Sequence, residues 1–351
     1  MSKIDFFISE DGSIGLYNKE ISDIYHSRTG ALTESIEKFI IPTNFQKFAQ
    51  NNQEIKLLDF CYGIGYNTKN AIKFATEANP NIKLDIDAID IDPTVVFLSG
   101  ILNSQYFDNI INYKILEEII HQYTKFSGLD LTLIKSSKIL KFLMPYFSEG
   151  DFFVNLEDTD SLFNEIKQKL HNIYYQYVSK RNKNNFSNPI LPNITINFHI
   201  DDARQVIKNL NTKYDFIFFD AFTPALIPSL WTKEMFLALK NKLKPNGILA
   251  TYSSALTARS ALLNAGFEVG KIINPSGRSI GTLATIDKFQ LEHPLSEYDL
   301  ALINDTKAGI FYRDIDFSLS NQKILENYNE EKKYSAKQSS SSFIKKHRGQ
   351  K

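Results

Sequence analysis

The chain has 351 residues, enough for one large domain or two ordinary ones. Its 40 basic residues cancel 40 acidic ones, which excludes a uniformly basic nucleic-acid coat but not an enzyme with a local basic face. A hydrophobic share of 43% excludes wholesale disorder, and the single cysteine, Cys61, excludes an internal disulfide and any cysteine-cluster metal site.

The N-terminal MSKIDFFISEDG carries acids and lacks the long apolar run of a secretion signal. No later stretch reaches about 18 apolar residues, so the expectation is a soluble, cytoplasmic protein without a membrane partner. Residues 1–55 are read as a segment preceding the main domain. From Lys56 short apolar runs alternate with helical patterns. Lys56–Cys61 reads as a buried parallel strand and 67–78 as a helix with Ala71, Phe74, Ala75 and Ala78 on one face. Leu84–Asp92 alternates strictly and stops at Pro93. Strands follow at Asn193–Ile200, Tyr214–Asp220 and Ile248–Tyr252, and helices at Asp202–Leu210, Ser229–Leu243 and Ala255–Ala265. Lys244–Gly247 reads as a turn, and FEVGKII and ATI as a closing antiparallel pair. The alternation predicts an α/β domain over 56–287 with a mostly parallel sheet. Residues 104–192 interrupt it as a long helical insertion, 288–331 extend it, and the basic, serine-rich 332–351 reads as a disordered tail.

The richest signal is LLDFCYGIGYNT. An apolar strand runs into Gly63-Ile64-Gly65, and a helix leaves from about Asn67. Glycines there let the backbone approach a ligand, and a helix N-terminus directs N–H groups at it. A tight turn is the bland alternative. Asp90 ends the next strand, 27 residues after Gly63, where a carboxylate can accept from both hydroxyls of a ribose. Asp202, after the third strand, is placed to accept from an adenine amine, and Asp220 ends the fourth. Carboxylates at the ends of several parallel strands point to a nucleotide-like ligand. No G-x-G-x-x-G and no G-x-x-x-x-G-K-[ST] loop is present, which favours an adenosyl ligand without pyrophosphate. S-adenosylmethionine is the commonest such cofactor.

These residues carry a family resemblance. YHSRTGALTES, LLDFCYGIGYNT, FFDAFTPALIPSLWTKEMFLAL, LKPNGILATYSSA and Gly277-Arg278 resemble the tRNA 5-aminomethyl-2-thiouridine methyltransferases, the methyltransferase half of bifunctional MnmC proteins. The resemblance covers roughly 10–103 and 194–315, and the run from Asp220 to Trp231 is its most specific part. It implies a Rossmann-like class I methyltransferase fold, with helices on both faces of the sheet. It also implies S-adenosylmethionine as cofactor and methylation of the 5-aminomethyl group of the wobble uridine in tRNA. By position Gly63, Gly65 and Asn67 match the cofactor loop, Asp90 the ribose acid, Asp202 the adenine contact and Asp220 the acid beside the reacting methyl. Tyr25, Ser27, Glu34, Phe222, Pro224, Trp231 and Arg278 fall on the substrate side. The family has glycine where this chain has Cys61, so the backbone there is expected to take a conformation that a side chain tolerates. No flavin-binding oxidase domain is expected after the sheet, so the aminomethyl form would come from another enzyme.

A protonated alkylamine has no lone pair, and Asp220 suits the carboxylate that orients it and takes its proton. Phe222, Pro224 and Pro228 stiffen the loop. Trp231 either offers a flat wall to a flipped base or caps the sheet edge as core. The six histidines show no metal-binding spacing, so no metal is expected. Phosphate contact is expected from the tail or from Ile173–Phe186, where Tyr174, Tyr175 and Tyr177 interleave with Lys180, Arg181 and Lys183. Two other readings stand beside this one. A spermidine-synthase-like aminopropyltransferase is disfavoured because Asp220 stands alone in an apolar loop, and a non-catalytic RNA-binding scaffold because Gly63, Gly65, Asp90, Asp202 and Asp220 are present together.

Overall fold

The computed structural model describes residues 4–20, 23–25, 30–103, 106–107, 109–148, 157–179, 190–287 and 291–347. The strands are β1 (Ile4–Ile8), β2 (Ile14–Asn18), β3 (Asp23–Tyr25), β4 (Glu54–Phe60), β5 (Lys83–Asp90), β6 (Ile194–Ile200), β7 (Tyr214–Phe219), β8 (Leu243–Thr251), β9 (Glu268–Ile273) and β10 (Ser279–Thr285). Seven of them hydrogen-bond in the order β6-β5-β4-β7-β8-β10-β9. The pairs β5–β6, β4–β7 and β7–β8 are parallel, and β10 runs antiparallel to both β8 and β9. The expected mostly parallel sheet with an antiparallel closing pair is therefore present. Helices Tyr66–Ala78, Pro93–Ile101, Ala203–Asn209, Lys233–Lys240 and Leu256–Asn264 connect its strands.

Several boundaries differ from the sequence reading, each for a local reason. Strand β5 ends at Asp90 rather than Asp92, because the Asp90 carboxylate accepts the Asp92 N–H at 3.0 Å and turns the chain. Asp92 then caps the next helix, accepting from the N–H of Thr94 at 2.9 Å, and Pro93 opens that helix instead of merely stopping a strand. Lys244–Gly247 is not a free turn but part of β8, whose register against β7 shifts between Tyr214 and Phe216. The Asp215 carboxylate pins this stretch, accepting from Lys244 Nζ at 2.7 Å and from the Lys56 N–H at 2.8 Å. The helix expected over Ser229–Leu243 divides into a 3₁₀ turn, Pro228–Trp231, and Lys233–Lys240. Thr232 marks the break, its hydroxyl accepting from the Met235 N–H at 3.1 Å.

The chain forms two compact units that cut across the partition at 55 and 287. One comprises Met1–Ile36, Phe45–Ile55 and Cys61–Asp201, the other Glu37–Asn44, Lys56–Phe60 and Asp202–Lys351. The first unit carries an antiparallel sheet, β1-β2-β3, which the sequence reading left without strands. Asp11-Gly12, flanked by IDFFI and IGLYN, is the hairpin signal that marks it; Gly12 has φ +80°. This hairpin packs on the insertion: Phe6 stacks on Phe142 at 5.4 Å and Lys138 pairs with Asp5 at 2.9 Å. It also packs on the helix Tyr66–Ala78, whose Tyr66 hydroxyl accepts the Ile14 N–H at 2.8 Å. The insertion is helical as expected, with Asn109–His121 and Thr159–Ser179 its longest pieces. Lys180, Arg181 and Lys183 lie outside the described residues.

In the second unit the extension 288–331 is fastened to the sheet domain through Asp314, which is 1% exposed. Its carboxylate accepts from Arg204 Nη1 at 3.1 Å and from the N–H groups of Ser318 and Leu319. The tail is not disordered where it is described. The helix Asn321–Tyr334 runs into it, and a second helix, Ser340–Lys346, follows. The composition argument for disorder missed two local features. Ser339 caps the second helix, and Phe343 buries its ring to 2% exposure against Tyr298.

Candidate active site

In the first unit the chain leaves β4 through Cys61-Tyr62-Gly63-Ile64-Gly65. Gly63 and Gly65 have φ of +57° and +78°, the left-handed conformation that glycine adopts without steric cost. A Cβ on Gly65 would come within 2.4 Å of the Tyr62 hydroxyl, which is itself held by Ser99 Oγ at 2.9 Å. Cys61 also has a positive φ, +67°. The expectation that this backbone would suit a side chain is therefore corrected: the position keeps the conformation of a glycine, and the thiol is carried there at a cost of about 1–2 kcal/mol. The reason lies in the neighbouring bonds, since the Tyr62 N–H must reach the Ile89 carbonyl at 2.8 Å.

Asp90 faces this loop. Its Oδ2 accepts the Gly63 N–H at 2.7 Å and its Oδ1 the Asp92 N–H. Burial outweighs these bonds and pushes the carboxyl up to about 6. Ile91, next along the chain, is 72% exposed. Tyr25 belongs to the same neighbourhood. Burial, and next the negative charge of Asp90, hold its phenol firmly protonated. Glu34 is buried in the short helix Ala31–Ser35. That helix is clasped by Asp11, which accepts from the N–H groups of Thr33 and Ser13 and from Ser9 Oγ, each at 2.9 Å. Burial opposes ionisation of Asp11, but the hydrogen bonds prevail and bring it to about 2. Asn67, in the first turn of the helix Tyr66–Ala78, is 1% exposed, as buried as the glycine loop before it. Ser27 lies outside the described residues.

In the second unit Asp220 follows the last residue of β7. Its N–H donates to the Phe60 carbonyl at 3.0 Å, and beneath it Phe60 and Phe219 stack at 4.7 Å. The loop after Asp220 is braced from within by Trp231, whose Nε1–H donates to the Phe222 carbonyl at 2.8 Å. The Trp231 ring is 0% exposed, packed edge-on against Phe219 at 4.8 Å and near Tyr252 at 6.1 Å. It is therefore core, and the expectation of a wall for a flipped base is corrected. Full burial leaves it no face to offer. Phe222 and Pro224 remain half-buried on the loop. Tyr252, half-buried just beyond β8 with Lys38 Nζ 5.5 Å from its ring, is an aromatic that the sequence reading passed over. Its signal was its place, one residue past a strand end. Arg278 is exposed at the tip of the β9–β10 hairpin.

Asp202 is engaged differently from the expectation. It caps the helix Ala203–Asn209 through the Arg204 N–H at 2.9 Å, and it grips the Arg204 guanidinium, with Nη2 at 2.7 Å. The same guanidinium reaches Asp314, so Asp202 helps fasten the extension, a role that sequence spacing does not disclose. Among the described residues no three His, Cys, Asp or Glu side chains gather into a metal-binding group, and no helix is long and apolar enough to cross a membrane.

Residues 164–287, which include Asp202, Asp220 and the loop to Trp231, match a family described as S-adenosyl-L-methionine-dependent methyltransferases. Over 79 residues the chain is 34% identical to the tRNA 5-methylaminomethyl-2-thiouridine biosynthesis bifunctional protein MnmC of Pseudomonas entomophila. The crystal structure of MNMC2 from Aquifex aeolicus superposes with a TM-score of 0.64 at 22% identity, covering 95% of this chain and 87% of that one. These likenesses support an MnmC-type methyltransferase domain in this chain. Its sheet is that of the class I methyltransferase fold, and S-adenosyl-L-methionine is its cofactor. The stretch shared with the Pseudomonas protein is 22% of this chain and 12% of that protein. An uncharacterized protein of Methanocaldococcus jannaschii is similar at 26% identity over 323 residues, 92% of this chain and 70% of its own length.

The residues of the methyltransferase domain fit that cofactor. Gly63 and Gly65 hold left-handed conformations that keep the loop free of side chains, and Asp90, although it accepts the Gly63 and Asp92 N–H groups, stays raised because burial outweighs those bonds. Hydroxyl donors are what such a group lacks.

Proposed function

We propose that the chain methylates the 5-aminomethyl group of the wobble uridine in tRNA, converting 5-aminomethyl-2-thiouridine to 5-methylaminomethyl-2-thiouridine. The carrying observation is the braced loop after Asp220, an acid at a strand end followed by an apolar turn held by Trp231 and Phe222. S-adenosyl-L-methionine, when bound, supplies an electrophilic methyl group on a sulfonium. Gly63 and Gly65 let the backbone approach it, Asp90 accepts from its ribose hydroxyls, and Ile91 offers an apolar face to its adenine. Asp220 orients the protonated amine and takes its proton, directly or through water, so that the nitrogen lone pair is freed. An amine prepared in this way needs alignment more than further activation. Phe222, Pro224 and Tyr252 give the base apolar surface, while Tyr25 moves from the expected substrate side to that of Asp90. Arg278 is assigned to the tRNA backbone.

Two features support this reading over an aminopropyl transfer: the loop holds one acid rather than the cluster a polyamine would need, and the residues after it are apolar. The test is transfer of labelled methyl groups by the purified protein to tRNA lacking the wobble methyl group, followed by mass analysis of the nucleosides. Label at the wobble uridine is the expected result. Label elsewhere, or none, refutes the assignment.

A further inference from the structure

The C-terminal segment carries charge that neither the glycine loop nor the Asp220 loop uses. Lys332, Lys333, Lys337, Lys345 and Lys346 lie beyond Glu331 with no acidic residue among them. Four are exposed and Lys332 is half-buried. Among the described residues none of the five is ion-paired, whereas Lys323, earlier in the same helix, pairs with Glu326.

These cations are held in place. Thr306 and Gln338 form a β-bridge, and the Lys307 N–H donates to the Gln338 carbonyl at 2.9 Å. Ser339 Oγ accepts the Ser342 N–H at 3.1 Å, Phe343 is buried, and His347 stacks on it at 4.1 Å. Helix electrostatics explain part of the pattern, since Lys332 with Lys333 and Lys345 with Lys346 end their helices, where cations are favoured. That explanation does not reach Lys337, which lies in neither helix. Nor does it explain Tyr334, 73% exposed, with Lys333 Nζ 5.2 Å from its ring. Fixed, unpaired cations around an exposed aromatic ring are what a polyanion with stackable bases requires. An acidic protein would meet the lysines but has no particular use for the ring.

We propose that Lys333, Lys337, Lys345 and Lys346, with Tyr334, form a docking surface for the phosphodiester backbone of tRNA. The proposal rests on the tRNA reading of the methyltransferase domain and adds where that RNA is held. Because the segment is already folded, docking does not have to order a loose tail, which would otherwise offset part of the contact energy.

The test uses the full chain and the fourfold variant Lys333→Ala, Lys337→Ala, Lys345→Ala, Lys346→Ala, with unfractionated tRNA as the probe and anisotropy read across a salt series. Truncation is avoided because it would remove the buried Phe343. Cofactor calorimetry and a thermal melt check that the variant is folded. The expected result is at least about a tenfold loss of tRNA affinity at unchanged cofactor affinity. The salt slope should fall by about three, since each phosphate contact contributes roughly 0.7–0.9. Tyr334→Ala should weaken binding without changing the slope, because a ring releases no counterions. Wild-type affinity and slope in the fourfold variant overturn the surface, and leave the function reading standing if methyl transfer to tRNA proceeds. Failure of the unaltered protein to bind tRNA overturns the surface too. Lysine-dependent binding with no methyl transfer supports the surface and refutes the function reading.

Discussion

The N–H of Gly63 donates to Oδ2 of Asp90 at 2.7 Å, so the glycine loop and the acid proposed for the ribose are one hydrogen-bonded unit. That bond orients the carboxylate before a ligand arrives, yet burial still lifts Asp90 from 3.8 to about 6. The free protein should therefore be partly protonated at Asp90 in mildly acidic solution.

Cofactor affinity should consequently depend on pH with a definite sign. Ribose hydroxyls donate to the ionised carboxylate, so binding lowers the Asp90 pKa and releases a proton. Affinity should be level above about pH 7 and fall as pH drops through about 6. The same raised pKa favours the folded protein below about 4 and loses that contribution as pH rises through about 6, and bound cofactor should offset the loss. Calorimetry at several pH values, in buffers of different ionisation enthalpy, measures both affinity and proton release. Asp90→Ala should abolish the pH dependence and weaken binding by about 1–3 kcal/mol. A flat profile in the unaltered protein removes Asp90 from the ribose.

Cys61 offers a stability test. At φ +67° the side chain is strained and glycine is not, although glycine loses more chain entropy on folding. Cys61→Gly should gain about 0.5–1 kcal/mol net, seen as a higher denaturant midpoint at constant slope. A lower midpoint would mean that thiol contacts outweigh the strain.

The parallel strands, the glycine loop and the strand-end acids were legible because each rests on a short-range pattern: an apolar run, a left-handed turn, a carboxylate after a strand. What escaped depends on partners distant in sequence. Asp202 is bound to Arg204, and through it to Asp314, 110 residues further on, a pairing that no spacing announces. Trp231 carries a polar group that suits a ligand, but only the three-dimensional packing decides that it faces inward. The order of the tail is not legible in its composition, because it rests on single contacts: the buried Phe343, the Ser339 cap and the bridge from Gln338 to Thr306. The β1–β2 hairpin was announced by Asp11-Gly12 and overlooked for want of a longer alternating pattern.

Trp231 should act on the loop rather than on the base. Trp231→Phe keeps most of the apolar packing but removes the donor to the Phe222 carbonyl. Stability should fall by about 1–3 kcal/mol, the usual cost of stranding a hydrogen-bond partner. Turnover should drop while cofactor affinity holds, because the bond braces the loop after Asp220 and leaves Gly63 and Asp90 untouched. Urea melts and cofactor calorimetry separate the two effects. A tryptophan that stacked on the substrate would instead raise KM with stability unchanged.

The reacting nitrogen gives the sharpest test of the proposed function. In the 5-aminomethyl form it is a primary amine that a carboxylate can orient and deprotonate. In the carboxymethylaminomethyl form it is bulkier and brings a second negative charge towards Asp220, which is half-buried and would be penalised by like-charge repulsion at reduced dielectric. The protein should therefore label tRNA carrying the first form and leave the second untouched. Asp220→Asn keeps the size of the side chain but removes its basicity, so cofactor affinity should hold. The methylation rate should fall about 10²–10⁴-fold, the usual range for losing a positioned proton acceptor. Raising the pH should partly restore the variant, because solvent then deprotonates more of the amine and the missing carboxylate matters less. A merely structural role for Asp220 would give no such recovery. Equal labelling of both tRNA forms would overturn the substrate assignment, and a fully active Asp220→Asn would take Asp220 out of the mechanism.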